Sequence, residues 1–377
     1  MRNVPGDTEI PTPKATAIAR TTAAVMRYFF LISPKSGFYY EFYIHPKHFD
    51  CKIKLCPFCC SDTIRGFEMI YTVTLNPALD RTFYVEKLVQ YESIRVHREE
   101  RYPGGKGIDV SRVIKQLGGE SIALGFLGGY TGREMEGRLI NEGVVGHFVW
   151  IRDETRTNVI VHTREGGEEI RFNCPGPRVS PQELAELMHL CRHLRPKPEF
   201  VVISGSVPEG VDPVVYEQLV LIFESQGARV ILDTYGEPLR KGLQATPFMI
   251  KPNRTELAGL VGKELSSLED VVSAGKELHR YVEIVTVSLG PEGLVGITRD
   301  GTYHAIPPKV EAVNTVGAGD STVAGMVLAL KRGLDIPEVF RYGAAAGTAS
   351  TLTSGTATVR PQDFERILAQ TTVKRID

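Results

Sequence analysis

Asn314-Thr315-Val316-Gly317-Ala318-Gly319-Asp320-Ser321 stands where an extended segment gives way to a helical pattern running from Thr322 to Lys331. Two glycines one residue apart permit a tight turn and a close ligand approach. The helix that follows leaves its first N–H groups unpaired, at the positive end of its dipole. Together these make an anion site. Asp320 is out of place in such a cradle, because a carboxylate repels a phosphate. Two readings are open. Asp320 takes the proton of a hydroxyl as that hydroxyl attacks a phosphate, or it caps the helix.

Outward from this stretch, short apolar runs alternate with helical patterns. Met69–Leu75, Ser121–Phe126, Phe200–Ser204, Val230–Asp233, Phe248–Lys251, Glu283–Ser288 and Leu294–Thr298 read as strands. Helical patterns lie between them, among them Gly132–Asn141 and Pro213–Ser225. A glycine-rich loop, Gly104–Gly107, opens a helix with Val110, Val113, Ile114 and Leu117 on its apolar face. This alternation predicts an α/β fold, a mainly parallel sheet with helices on both faces. Two β-patterned segments, 82–101 and 157–173, lack adjacent helices. The second reads as a hairpin turned at Gly166-Gly167. They are expected to form a small sheet over the strand ends, where α/β folds bind ligands, and so to act as a lid.

Residues 1–68 read differently. They show no sustained period, and the regular pattern begins at Met69, itself a possible start codon. The segment reads as an atypical extension, either without regular structure or upstream of the true start. Four of the six cysteines, Cys51, Cys56, Cys59 and Cys60, lie in it, just after His45 and His48. Zinc would need a second well-spaced pair. Cys174 and Cys191 are scattered, so the pattern is no disulfide framework, and a cytoplasmic protein is expected. The net charge of −1 gives no reason to expect a nucleic-acid partner. The longest apolar run, Ala23–Ile32, is interrupted by Arg27 and too short to span a bilayer, so no membrane partner is expected.

The commoner nucleotide motifs fail. Gly105-Lys106-Gly107 lacks the Ser or Thr that a P-loop needs, and Gly125, Gly128, Gly129 and Gly132 have the wrong spacing for a dinucleotide fold. Four segments in order instead resemble the PfkB-type carbohydrate kinases of the ribokinase-like superfamily. They are Pro103-Gly104-Gly105-Lys106-Gly107, Lys251-Pro252-Asn253-Arg254-Thr255-Glu256, Ser288-Leu289-Gly290-Pro291-Glu292-Gly293 and the opening stretch. Thr74-Leu75-Asn76-Pro77-Ala78-Leu79-Asp80 and Ser204-Gly205-Ser206-Val207-Pro208 are similar to the phosphofructokinase and tagatose-6-phosphate kinase branch. The likeness runs from Met69 to about residue 370.

The resemblance implies roles. Asp320 would be the base, with the amides of Gly317, Ala318 and Gly319 stabilising the transferring phosphoryl group. Asp80, Gly104, Gly105 and Asp109 would hold sugar hydroxyls. Arg156 and Arg171 would grip a phosphate already on the sugar, as Arg forks do, although residues in β-rich segments are otherwise solvated. Lys251, Asn253, Ser288, Gly290 and Thr315 would lie along ATP. Glu256 would order Mg2+ through water, or merely favour a helix start. Lys106 reads as a solvated loop residue. The resemblance also admits a monovalent cation such as K+ and implies a homodimer through the lid. The family position at Asp109 is usually Asn; Asp accepts from a hydroxyl but cannot donate, and it adds negative charge near a doubly anionic substrate. The expected reaction is fructose 6-phosphate to fructose 1,6-bisphosphate, with 1-phosphofructokinase, tagatose-6-phosphate kinase and a non-catalytic sugar-phosphate regulator as alternatives. Arg171 favours the 6-phosphate, whereas Asn173-Cys174-Pro175-Gly176-Pro177 is more like the 1-phosphate branch.

Overall fold

The computed structural model describes residues 27–31, 39–45, 48–52, 68–167 and 169–377. The chain divides into two units, Met1–Arg65 and Gly66–Asp377. In the first, strands β1 (Arg27–Leu31), β2 (Tyr39–His45) and β3 (His48–Lys52) pair antiparallel in that order. Cys56, Cys59 and Cys60 lie outside the described residues.

The second unit runs β4 (Glu68–Thr74), β5 (Ala78–Val85), β6 (Val96–Gly104), α1 (Lys106–Gln116), β7 (Ser121–Gly128), α2 (Gly129–Asn141), β8 (Val145–Ile151), β9 (Arg156–Thr163) and β10 (Glu169–Phe172). It continues α3 (Pro181–Arg192), β11 (Lys197–Ser204), α4 (Val215–Ser225), β12 (Arg229–Asp233), α5 (Gly236–Leu243), β13 (Met249–Ile250), α6 (Arg254–Val261) and α7 (Leu268–Leu278). Last come β14 (Ile284–Ser288), β15 (Leu294–Thr298), β16 (Gly301–Ile306), α8 (Ala318–Lys331), α9 (Ile336–Ser350), α10 (Pro361–Gln370) and β17 (Thr372–Arg375).

The large sheet has the order β17-β16-β15-β14-β13-β12-β11-β4-β7-β8. It is parallel from β14 to β8, and β15, β16 and β17 add an antiparallel edge. Its strands are continuous apolar runs because both faces are covered. Alternate residues of β4 show this: Tyr71 and Val73 join the core beneath α3, α4 and α7, whereas Ile70 joins that of α1, α8, α9 and α10. The most deeply set helix is α8, buried from Asp320 to Leu330. It lies tight against α9, since a methyl group on Gly343 would come within 2.5 Å of Met326 Cγ.

The small sheet has the order β10-β9-β5-β6 and is the expected separate sheet, called the lid below. The hairpin register pairs Val159 with Phe172 and Val161 with Ile170. Several boundaries differ from the sequence reading. The β5–β6 pair reaches beyond 82–101, to Ala78 and Gly104, and β5 pairs in parallel with β9. Of Phe248–Lys251 only Met249–Ile250 is strand, which frees Lys251 to leave the sheet. Helix α2 begins at Gly129 rather than Gly132, and α8 at Ala318 rather than Thr322. In both, glycines in the first turn mask the helical pattern.

Candidate active site

The carboxyl ends of three neighbouring strands make the floor. Thr74 of β4 pairs with Ser204 of β11, and Ser204 with Asp233 of β12, so their side chains share one level and one face. All three are buried. Among the described residues, Thr74 Oγ1, Ser204 Oγ and Asp233 Oδ2 are buried without a hydrogen-bond partner. Buried polar atoms are ordinarily paired, so three orphans in a row mark a polar floor at the edge where α/β sheets take ligands. Gly107 of α1 sits directly over it: a methyl group there would lie 2.5 Å from Thr74 Oγ1 and 3.2 Å from Ser204 Oγ.

Helix α8 points its N-terminus at this floor. Gly317 precedes it with φ 80°, and a methyl group at Gly317 would lie 2.6 Å from Ala357 Cβ. Asn314 braces the turn, accepting from Val316 N at 2.9 Å and donating to the Ser354 carbonyl at 3.0 Å. The Ala318 amide donates to the Thr315 carbonyl at 3.3 Å. Thr315 itself is exposed. Asp320 is the third residue of the helix and buried, and Gly317 occupies the cap position, so the capping reading of Asp320 does not hold.

Lys106 is half-buried and paired rather than free in solvent as its loop sequence suggested. It is the first residue of α1, and its Nζ lies 3.4 Å from Asp233 Oδ1. The same oxygen takes Lys251 Nζ at 3.2 Å. Lys251 Nζ would be 3.4 Å from a methyl group on Gly319, so the two lysines and the start of α8 converge. Burial alone would raise the Asp233 carboxyl; Lys106 and Lys251 outweigh it and hold the group below the usual carboxylate range. Asp320 goes the other way, pushed up to about 7, first by burial and then by the charge of Asp233, against the pull of Lys106 and Lys251.

Polar residues also gather where β5 and β9 meet the start of α1. Asp80 of β5 is buried and accepts from Asn158 Nδ2 at 2.9 Å. Gly104 and Gly105 lead into α1, the latter at φ 112°. Asp109 in the first turn of α1 accepts from Arg112 Nη1 at 3.1 Å. Arg112 also donates to the Thr356 carbonyl at 3.1 Å and to Glu142 at 2.6 Å. Burial pushes the Asp109 carboxyl well up against the pull of Arg112, and Asp320 and Asp80 add to the rise.

The lid arginines differ. Arg156, Asn158 and Arg171 share a sheet face with Asp80 by register. Burial raises Asp80, while Asn158, Arg156 and Arg171 each draw it down. Arg156 donates to three backbone carbonyls, those of Cys174 at 2.7 Å, Asn76 at 2.8 Å and Pro77 at 3.4 Å. Arg171 is exposed on the edge strand and pairs with Glu169.

Among the residues expected along ATP, Asn253 and Ser288 form a parallel bridge. Asn253 caps α6: its Oδ1 accepts from Glu256 N at 2.8 Å, and Glu256 Oε2 accepts from Asn253 N at 2.9 Å. Glu256 thus does favour the helix start, with one carboxylate oxygen outside that bond. Its charge raises Lys106, against burial and together with Asp233 and Asp320, so it faces the same cluster. A carboxylate oxygen beside a phosphate site suits hydrated Mg2+. Gly290 follows β14 at φ 62° and is exposed.

A family model for pfkB family carbohydrate kinases matches residues 73–363. The chain belongs to that family. It is 36% identical over 310 residues to the 1-phosphofructokinase of Bacillus subtilis (strain 168), covering 82% of this chain and 100% of the relative. It is 37% identical over 303 residues to the ATP-dependent 6-phosphofructokinase isozyme 2 of Escherichia coli (strain K12), covering 80% and 98%. The crystal structure of phosphofructokinase-2 from Escherichia coli in complex with potassium superimposes with a TM-score of 0.77 at 36% identity, covering 80% of this chain and 98% of that one.

This pfkB kinase is a phosphotransferase with an alcohol acceptor. Lys106, Lys251 and Asp233 gather beside Asp320 and the start of α8. Sequence reading passed over Asp233 and Asn158. An acid closing an apolar strand run was the available signal for Asp233, since that end of a strand faces ligands. Asn158 had no comparable signal; its value lies in the β5–β9 pairing.

Proposed function

We propose that this chain transfers the γ-phosphoryl group of ATP to fructose 6-phosphate, giving fructose 1,6-bisphosphate. Arg171 carries the choice of sugar: it shares the buried-face register of the lid with Asp80, where a second anionic end of the sugar would lie. The sugar hydroxyl gives its proton to the Asp320 carboxylate. Its oxygen forms a bond to the γ-phosphorus as the bond to the β,γ-bridging oxygen breaks, and ADP leaves with that electron pair. Lys251 and the Gly319 amide stabilise the equatorial oxygens in flight. Asp80, Gly104 and Asp109 orient the hydroxyls. Asn253, Ser288 and Gly290 receive the nucleotide; Glu256 would hold Mg2+, which would supply neutralisation of phosphate charge when bound.

In this reading K+ is an accessory ion, as the potassium complex of the Escherichia coli relative suggests. The protein works in the cytoplasm as a homodimer through the lid, whose exposed Val96 (46%) and Phe172 (57%) would be covered. A second reading, fructose 1-phosphate, draws support from the Pro175–Pro177 turn. Asn76 Nδ2 donates to the Pro175 carbonyl at 3.0 Å, and Arg171 is already paired with Glu169. A panel of phosphosugars under saturating Mg-ATP, read by ADP release, tests both. Preference for fructose 6-phosphate supports the first reading; preference for fructose 1-phosphate replaces it with the second.

A further inference from the structure

Two ammonium groups on one carboxylate oxygen is an unusual use of a fully buried acid. Lys106 and Lys251 come from separate elements, the start of α1 and the turn after β13. Both lie against Asp233 Oδ1, at 3.4 and 3.2 Å. Asp233 is 0% exposed and Lys251 only 4%. Lysine side chains are flexible, and two like charges this close repel. Without a shared counter-charge they would separate. Asp233 is itself fixed at the end of β12, beside Ser204 in register.

We infer that Asp233 is a positioning residue for phosphoryl transfer: its carboxylate brackets Lys106 and Lys251 at the N-terminus of α8, so that both ammonium groups and the Asp320 base form one preset cluster. The inference rests on the proposed kinase reaction. Through Oδ1 it acts on its neighbours, Lys106 and Lys251. The lysines, fixed before substrates arrive, need no reorganisation when charge develops on the phosphoryl oxygens.

The cluster also sets the strength of the base. Facing Asp320 are Lys106 and Asp109 from α1, Asp233 from β12 and Lys251 beyond β13. Behind them, Glu256 of α6 acts on Lys106, and Tyr216 of α4 lies beside Asp233 and Lys106. The anion of Asp233 strengthens Asp320 as a base and the two cations weaken it. The opposing signs give a test that a merely structural role does not pass.

The experiment is the pH profile of kcat/KM for the phosphosugar, which reports the free enzyme. In wild type the acid limb reflects Asp320. Asp233→Asn should move that limb to lower pH by about one unit, with kcat on the plateau falling roughly tenfold or more as the lysines lose their bracket. Lys106→Met should move it to higher pH by a similar amount. The same shifts should appear in the carboxyl 13C resonance of Asp320 in the free enzyme, assigned by its loss in Asp320→Asn. Limbs that stay in place, or that move in the same direction in both variants, overturn the inference. If Asp233→Asn does not fold, Lys106→Met and Lys251→Met decide: two upward shifts support the bracket, and none refutes it. A wild type that phosphorylates no phosphosugar counts against the proposed function alone, because the carboxyl titration is read without substrate.

Discussion

Gly104 lies so close against Asp80 that a methyl group on it would sit 2.5 Å from the Asp80 Oδ2 atom. The β5–β6 register puts Gly104 opposite Ala78, two residues from Asp80 and on the same face. Only a glycine leaves the carboxylate where it is. Gly104→Ala should therefore push Asp80 aside and raise the sugar KM about tenfold or more, with the ATP KM nearly unchanged. Steady-state kinetics with each substrate varied in turn check this. Equal rises in both KM values would mean that the substitution disturbs α1 as a whole.

Asp320→Asn keeps the size of the side chain and removes the proposed base. Turnover should fall by roughly 10²–10⁴, with little change in nucleotide affinity. Thermal unfolding should not show the loss expected of a missing cap, because Gly317 holds the cap position.

The wild-type pH profile has a predicted sign. Burial first, and then Asp233, push Asp320 up to about 7. The reactive form is unprotonated, so kcat/KM should rise with pH through the neutral range and flatten above it. A profile already flat well below neutrality would show that Asp320 does not limit the reaction as a base.

The lid arginines should separate in their effects. Arg171 is 44% exposed at its side chain and pairs with one neighbour. Arg171→Ala should leave folding intact and raise the KM for fructose 6-phosphate, by about 2 kcal/mol of lost phosphate binding, the low end for such a contact. Arg156→Ala removes three donors from backbone carbonyls. It should lower stability by roughly 2–4 kcal/mol as well as weakening sugar binding. Differential scanning calorimetry beside kinetics distinguishes the two; equal melting temperatures would mean that Arg156 is no brace.

Residues 69–377 expressed alone should fold and retain full activity. The unit Gly66–Asp377 contains every residue assigned to the site, and the family match begins at residue 73. Loss of activity, or stoichiometric zinc in the full chain, would give the first 68 residues a role.

What could be read from the sequence was local. The Gly317–Asp320 turn, the strand runs and the hairpin at Gly166-Gly167 each depend on neighbouring residues, and each was legible. The joining of the site was not, because it depends on which strands lie side by side. Thr74, Ser204 and Asp233 are far apart in the chain and become one floor only through the β4-β11-β12 order. Lys106 reads as a polar loop residue until Asp233 is known to lie beneath it. Arg156 reads as a phosphate ligand, and only the fold brings three carbonyls to it. Strand β17 was missed for a related reason: Thr372–Arg375 has little apolar character and is held by its pairing with β16.

Helix α8 is enclosed along nearly its whole length, whereas β10 lies at the rim of the lid. The two carry different evolutionary freedom. A change within α8 disturbs a core packed on all sides and is purged with the fold. In the proposed function, a change at Arg171 or its neighbours alters little besides the shape and charge offered to a sugar. Drift among descendants of such a kinase should accumulate in what is chosen and spare how it reacts. Overall identity is then a poor guide to substrate, and near-equal likeness to a 1-phosphofructokinase and a 6-phosphofructokinase is the expected outcome of that division.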